Sequence, residues 1–122
     1  MFHFYRNQTA MERKILIIDD EEDICLLMKN YLQRRQADVK YALNLKDGLK
    51  LLEEFHPDII FLDNNLPDGI GLEEIRTIKK SHNQIQLVMI SAMNHLREAA
   101  FREGADHFLD KPISFKAVVA VI

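Results

Sequence analysis

The chain has 122 residues, 48% hydrophobic and 29% charged, a size and balance that fit one globular domain with a sizeable core and leave no room for a second. Sixteen Lys and Arg against nineteen Asp and Glu give a net charge of −3, which argues against non-specific nucleic-acid binding as the main task, since such modules are usually basic. One cysteine, Cys25, rules out an intrachain disulfide framework and makes a reducing cytosol the default compartment, and no apolar run nears the roughly 20 residues of a membrane span.

Residues 1–12 read as an N-terminal extension without the apolar stretch of a secretory signal, and the domain is expected over 13–122. Ile15-Leu16-Ile17-Ile18 is the first strand, continuously apolar as in a strand covered on both faces. Ile24, Leu27, Met28, Tyr31 and Leu32 follow at helical spacing. Cys25 sits beside that stripe and is expected buried and inert. Asp38 to Ala42 alternates as an edge strand would. Asn44 can cap the next helix, with Leu45, Leu49 and Leu52 inward.

Ile59-Ile60-Phe61-Leu62 is the third strand, followed by a turn through Pro67, Gly69 and Gly71 into a helix marked by Leu72, Ile75 and Ile78. Lys79-Lys80 and Arg34-Arg35 read as solvated helix ends. Leu87-Val88-Met89-Ile90 is the fourth strand. Asn94 can cap a fourth helix that Gly104 ends, with the thin inward set Leu96, Ala99 and Ala100. His107-Phe108-Leu109 is the fifth strand, and Ser114 can cap a fifth helix running to the last residue. That helix stops after about two turns, so the domain is expected to be truncated there or to pair through this apolar helix with another chain.

Strand and helix alternate five times, which predicts an α/β fold: a doubly wound, five-stranded parallel sheet in the order 2-1-3-4-5, flavodoxin-like, with helices on both faces in a three-layer sandwich. Ligands bind such sheets at the carboxyl ends of the strands. Strand 1 ends in Asp19-Asp20-Glu21, strand 3 in Asp63, strand 4 in Ser91-Ala92 and strand 5 in Lys111-Pro112. Crowded carboxylates repel, and a hard divalent cation such as Mg²⁺ relieves them. One carboxylate can then act as a nucleophile on phosphorus, with Lys111 and Ser91 compensating the incoming oxygens.

The ordered set Asp19-Asp20, Asp63 with Leu66-Pro67, Ser91-Ala92 and Lys111-Pro112 resembles the receiver domain of bacterial two-component response regulators over residues 13–122. The resemblance implies that Asp63 is the phospho-acceptor. It implies that Asp20 ligates Mg²⁺ directly, Asp19 through water, and Asn65 by its backbone carbonyl. It further implies that Lys111 pairs with the phosphoryl group, that Ser91 moves toward it, that Phe108 switches rotamer, and that Lys111-Pro112 is cis.

Three departures from the family pattern are Phe108 where Tyr is frequent, Ile70 before Gly71, and Asn64 after the acceptor. Asn65 and Met93 stand where the family tunes phosphoryl lifetime. The implied partners are a sensor histidine kinase or histidine phosphotransfer protein and a downstream target. A homodimer through the fourth helix, fifth strand and fifth helix is one arrangement the resemblance allows. It implies no direct nucleic-acid or membrane binding, a cytoplasmic location, and a phosphoacceptor switch, not an enzyme, with at most self-catalysed phosphorylation and dephosphorylation.

Blander readings compete. Asp19 and Asp20 can serve as helix caps, Ser91 as a turn residue, Lys111 as a surface lysine and Phe108 as plain core. An aspartyl-phosphate phosphatase normally carries Asp-x-Asp after its first strand; here the pair is adjacent and no cap domain fits. A receiver-shaped module that takes no phosphate is disfavoured by the full set of site residues. The five histidines show no ligand spacing for a transition metal.

Overall fold

The structure, a computed structural model, describes residues 12–122. The extension expected over 1–12 therefore lies, apart from Glu12, outside the described residues.

The described chain alternates β1 (Lys14–Ile18), α1 (Glu22–Gln33), β2 (Asp38–Ala42), α2 (Leu45–Phe55) and β3 (Ile59–Asp63). It continues through α3 (Ile75–Ser81), β4 (Gln86–Ser91), α4 (Arg97–Glu103), β5 (His107–Asp110) and α5 (Phe115–Ala120). Between β3 and α3 a two-residue antiparallel ladder pairs Asn65 with Ile70 and Leu66 with Gly69. A 3₁₀ turn over Gly71–Glu74 then leads into α3. The sheet is parallel throughout and runs β2-β1-β3-β4-β5, the order expected from the strand patterns.

The continuous apolar runs divide by the two-residue period of a strand. Leu16, Ile18, Ile60, Leu62, Leu87 and Met89 pack on one face with Leu45 and Leu52 of α2, Ile75 and Ile78 of α3, and Ala100 of α4. Ile15, Ile17, Ile59, Phe61, Val88 and Ile90 pack on the other with Cys25, Met28 and Leu32 of α1 and Val118 of α5. Each fully buried Ile, Leu or Phe contributes about 1.5–3 kcal/mol of hydrophobic stabilisation. Because both faces are covered, the strand ends emerge only at the two edges of the sheet.

Three details differ from the sequence reading. Leu27, placed in the inward stripe of α1, is 54% exposed, and Cys25 takes the inward position with Met28 and Leu32. The Cys25 thiol reaches the Asp19 carbonyl, just past the end of β1, at 3.3 Å, while Leu27 turns out to solvent. Asn94 does not cap the fourth helix: the segment opens as a 3₁₀ turn, Asn94–Leu96, without a side-chain cap. Lys79 is no freely solvated helix end; its Nζ donates to Asp106 Oδ2 and to the Ile85 carbonyl, both at 2.7 Å. Elsewhere the expected caps are formed. Asn44 accepts from the Asp47 amide at 2.8 Å and Ser114 from the Ala117 amide at 3.0 Å. No helix among the described residues is long and apolar enough to cross a membrane.

Gly71 fixes how closely the loop returns to the end of β3. A Cβ there would collide with the backbone carbonyl oxygen of Asp63, which cannot swing aside as a side chain can. Gly71→Ala should therefore cost about 2–3 kcal/mol in urea unfolding. Gly69→Ala should cost clearly less, because its Cβ meets only the flexible tip of Leu45. Equal stability losses in the two variants would contradict this account.

Candidate functional site

The carboxyl edge gathers the acidic strand ends. The Asp19 amide continues the β1 ladder by donating to the Ala42 carbonyl at 3.1 Å, which locks its side chain inward at 0% exposure. Its Oδ1 accepts from the Glu21 amide at 2.9 Å, and its carbonyl accepts from the Cys25 thiol at 3.3 Å. The helix-cap reading of Asp19 thus holds for one oxygen: it secures the turn into α1, while the cap residue, Glu21, makes no side-chain cap of its own. Asp63 is the last residue of β3, paired in register with Ile90 and only 3% exposed. Asp20, beside them, faces solvent. Asp19, Asp20 and Asp63 each offer a carboxylate oxygen within 4.8 Å of the others.

Lys111, one residue past β5, brings the compensating charge. Its Nζ lies 2.9 Å from Glu21 Oε1, 3.1 Å from Asp19 Oδ2 and 3.4 Å from Asp63 Oδ1. Its amide donates to the Ser91 carbonyl at 3.1 Å, and the Lys111-Pro112 peptide is cis. Ser91 ends β4, is buried, and accepts from the Met93 amide at 2.9 Å through Oγ. Phe108 is buried in the core among residues including Met89, its register partner on β4. The Arg97 guanidinium lies 5.0 Å from its ring centre. Asn65 occupies the exposed loop after Asp63, with Nδ2 3.8 Å from Met93 Sδ. Asn64 is buried, and its Oδ1 accepts from the Leu72 amide at 3.1 Å.

Folding thus brings Asp19, Asp20, Asp63 and Lys111 together, with Ser91 joined to Lys111 through the backbone. Phe108 sits in the core on β5, three residues before Lys111. Two residues named in the sequence were given no role there. Glu21 makes the shortest contact to Lys111, and Asn64 stitches the loop closed; an acidic triplet and an Asn-Asn pair are too common to announce either role.

The electrostatics follow from crowding. Burial, then the Asp19 charge, push the Asp63 carboxyl up to about 6 against the opposing pull of Lys111. Burial alone would lower the Lys111 ammonium, but the Glu21 hydrogen bond and the Asp19 and Asp63 charges outweigh it and hold it above its ordinary value. Burial and the Asp19 charge raise the Cys25 thiol to about 12, so it is not a thiolate nucleophile at neutral pH.

The residues fit a hard divalent cation. Asp19 Oδ2 is fully enclosed and has no aligned hydrogen-bond donor, its Lys111 contact being an ion pair off hydrogen-bond geometry. Two further carboxylates converge beside it, and one ammonium cannot neutralise three. An all-oxygen set of this kind is what hard divalent cations take as ligands.

The architecture is that of a doubly wound α/β protein whose carboxyl edge, where such sheets take their ligands, gathers three carboxylates that could hold a metal ion and one lysine. The family follows from comparison with known proteins: the response regulator receiver domain matches residues 15–122, and the chain belongs to that family of two-component systems. It is 39% identical over 103 residues to the response regulator protein PilR of Pseudomonas aeruginosa, a match covering 83% of this chain and 23% of PilR. The chain thus corresponds to about a quarter of that relative's length. Among solved structures, the receiver domain of NtrX from Brucella abortus is 32% identical with a TM-score of 0.80, covering 88% of this chain and 92% of that one. A Burkholderia pseudomallei response regulator, solved with a phosphorylated aspartic acid, a calcium ion and citrate, is 25% identical with a TM-score of 0.83. That match covers 89% of this chain and 65% of the other.

The raised Asp63 value has a thermodynamic consequence in metal-free protein. The folded state holds a proton at Asp63 up to about pH 6, against 3.8 for an ordinary carboxyl. Folding therefore takes up a proton between these values, and stability from this group falls as pH rises through that window. Asp63→Asn should be more stable than the parent at pH 7.5 in EDTA, by on the order of 2 kcal/mol. The gain should shrink toward pH 4 and narrow when Mg²⁺ is saturating. A gain in urea unfolding that does not vary with pH would contradict this.

Proposed function

We propose that the chain is a phosphoryl-accepting switch in which Asp63 takes a phosphoryl group from the phosphohistidine of a sensor histidine kinase or histidine phosphotransfer protein. The observation that carries the reading is the convergence of Lys111 Nζ on Asp19, Glu21 and Asp63 beside three clustered carboxylates. The Burkholderia relative's phosphorylated aspartic acid and calcium ion support it. In the transfer, an Asp63 carboxylate oxygen bonds to phosphorus as the phosphorus–nitrogen bond to the donor imidazole breaks, and the imidazole leaves with the electron pair.

The chain's own residues do most of what phosphoryl transfer asks, which is positioning and charge neutralisation. β3 holds Asp63 at the sheet edge. Asp20, Asp63 and the Asn65 backbone carbonyl would hold Mg²⁺, with Asp19 acting through water. When bound, the cation would neutralise charge building on the phosphoryl oxygens. Lys111, already poised 3.4 Å from Asp63, pairs with the new anion, and its ties to Asp19 and Glu21 fix its reach.

The added charge then biases the far side of the site. Ser91 Oγ accepts from Met93 but keeps its own proton, which it can donate to the phosphoryl group. Its movement would draw the segment before α4 with it and let Phe108 change rotamer. α4 is suited to shift, because it begins without a side-chain cap and buries only Ala100. The surface of α4, β5 and α5 would thereby change for a downstream partner or a second copy. In this reading the domain is not an enzyme beyond its own phosphorylation and dephosphorylation.

Incubation with acetyl phosphate and Mg²⁺, read by intact mass, should add one phosphoryl group. The adduct should vanish in Asp63→Asn and in EDTA, and fall at least tenfold in Lys111→Ala. No adduct on the parent protein, or one that survives Asp63→Asn, would overturn the proposal.

A further inference from the structure

The loop after the acceptor carries the Asn65 carbonyl, and its tip is tied to an element remote in sequence. Asp68, at the turn of the Asn65–Ile70 ladder, reaches the start of α2. Its Oδ1 accepts from the Leu45 amide at 2.7 Å and its Oδ2 from the Lys46 amide at 2.9 Å. Asn44 caps the same helix end independently, through the Asp47 amide at 2.8 Å. Three orphan amides at that helix start are thus shared between a local residue and a carboxylate from 22 and 23 positions away.

At its base the loop is closed by Asn64, which accepts from the Gly71 amide at 2.8 Å through its carbonyl and from Leu72 through its side chain. The ladder makes the segment between these points a short stiff hairpin. Held at base and tip, Asn65 has little freedom to swing away from Asp63.

We infer that Asp68 is a positioning residue for the cation site: its two-amide clamp on α2 presets the Asn65 carbonyl before the metal arrives. This rests on the metal reading above and deepens it. Remote groups that orient a ligand typically change metal affinity by about tenfold or more when removed, although they never touch the ion. The competing reading is that Asp68 only caps α2, and Asn44 supplies the control, since it caps that helix without touching the loop.

The test is a Mg²⁺ titration followed by backbone amide NMR shifts in the full chain, with urea stability measured alongside. Asp68→Ala should raise the midpoint about tenfold. Asn44→Ala should stay within about twofold of the parent despite a comparable loss of stability, and Asp68→Asn, which keeps one acceptor oxygen, should fall between. Parental affinity in Asp68→Ala, or an equal loss in Asn44→Ala, would overturn the positioning role while leaving the metal site intact. Should Asp68→Ala fail to fold, Asp68→Asn decides: a several-fold weakening supports the role and parental affinity removes it. A parent protein whose Asp19, Asp20 and Asp63 amides show no saturable response to Mg²⁺ would overturn the metal reading itself.

Discussion

Four acidic side chains share one ammonium at the edge of this sheet, and the site's behaviour follows from that imbalance. Lys111 Nζ lies within 3.4 Å of oxygens from Asp19, Glu21 and Asp63, while Asp20 stands within the same carboxylate cluster. A lysine is a compact point charge on a flexible stem, so it can follow whichever neighbour carries the most negative charge. In the free protein that charge is divided among three partners. A phosphoryl group on Asp63 would concentrate it at one place, and the excess negative charge that remains is what a divalent cation would offset.

The sheet explains why the imbalance is sustained. Both faces are sealed by helices packed on β1, β3 and β4, so the polar strand ends can emerge only at the edge. Asp19 and Asp63 each follow directly on a run of fully buried apolar residues in adjacent strands, β1 and β3. Moving either carboxylate into water would mean withdrawing its strand from the core, at a cost of several kcal/mol. Core packing thereby holds two acids in a place that their own electrostatics disfavour. Strain of this kind is usual where a site is preorganised for chemistry.

Much of this was legible in the sequence because the strands announce themselves. Ile15 to Ile18, Ile59 to Leu62 and Leu87 to Ile90 are continuously apolar, and the residue following each run falls by rule at the carboxyl edge. Asp19, Asp63 and Ser91 could be placed from that alone, and Lys111 from its place just past the weaker run His107 to Leu109. Helix faces were less clear: Cys25 and Leu27 are both apolar and two positions apart, and only the folded helix shows that Cys25 faces the core with Met28 and Leu32 while Leu27 does not. The 3₁₀ start of the fourth helical segment was hidden because Asn94 is a good cap in isolation, and the turn set by Ser91 and Met93 places it differently.

Several contacts that escaped the sequence end on backbone amides or carbonyls. Asp68 meets Leu45 and Lys46 through N–H groups that every residue but proline possesses, so no residue type at 45 or 46 betrays the pairing. The same holds for Lys79 and the Ile85 carbonyl. A pattern of side chains cannot encode such partners, and the folded path of the chain must supply them.

The proposed switch requires Asp63, and no neighbouring carboxylate, to be the acceptor. Borohydride reduction of phosphorylated protein converts an aspartyl phosphate to homoserine, which peptide mass mapping locates. Homoserine at position 63 and at no other acidic position is the outcome this account requires; homoserine at 19 or 20, or hydroxynorvaline at 21, would contradict it.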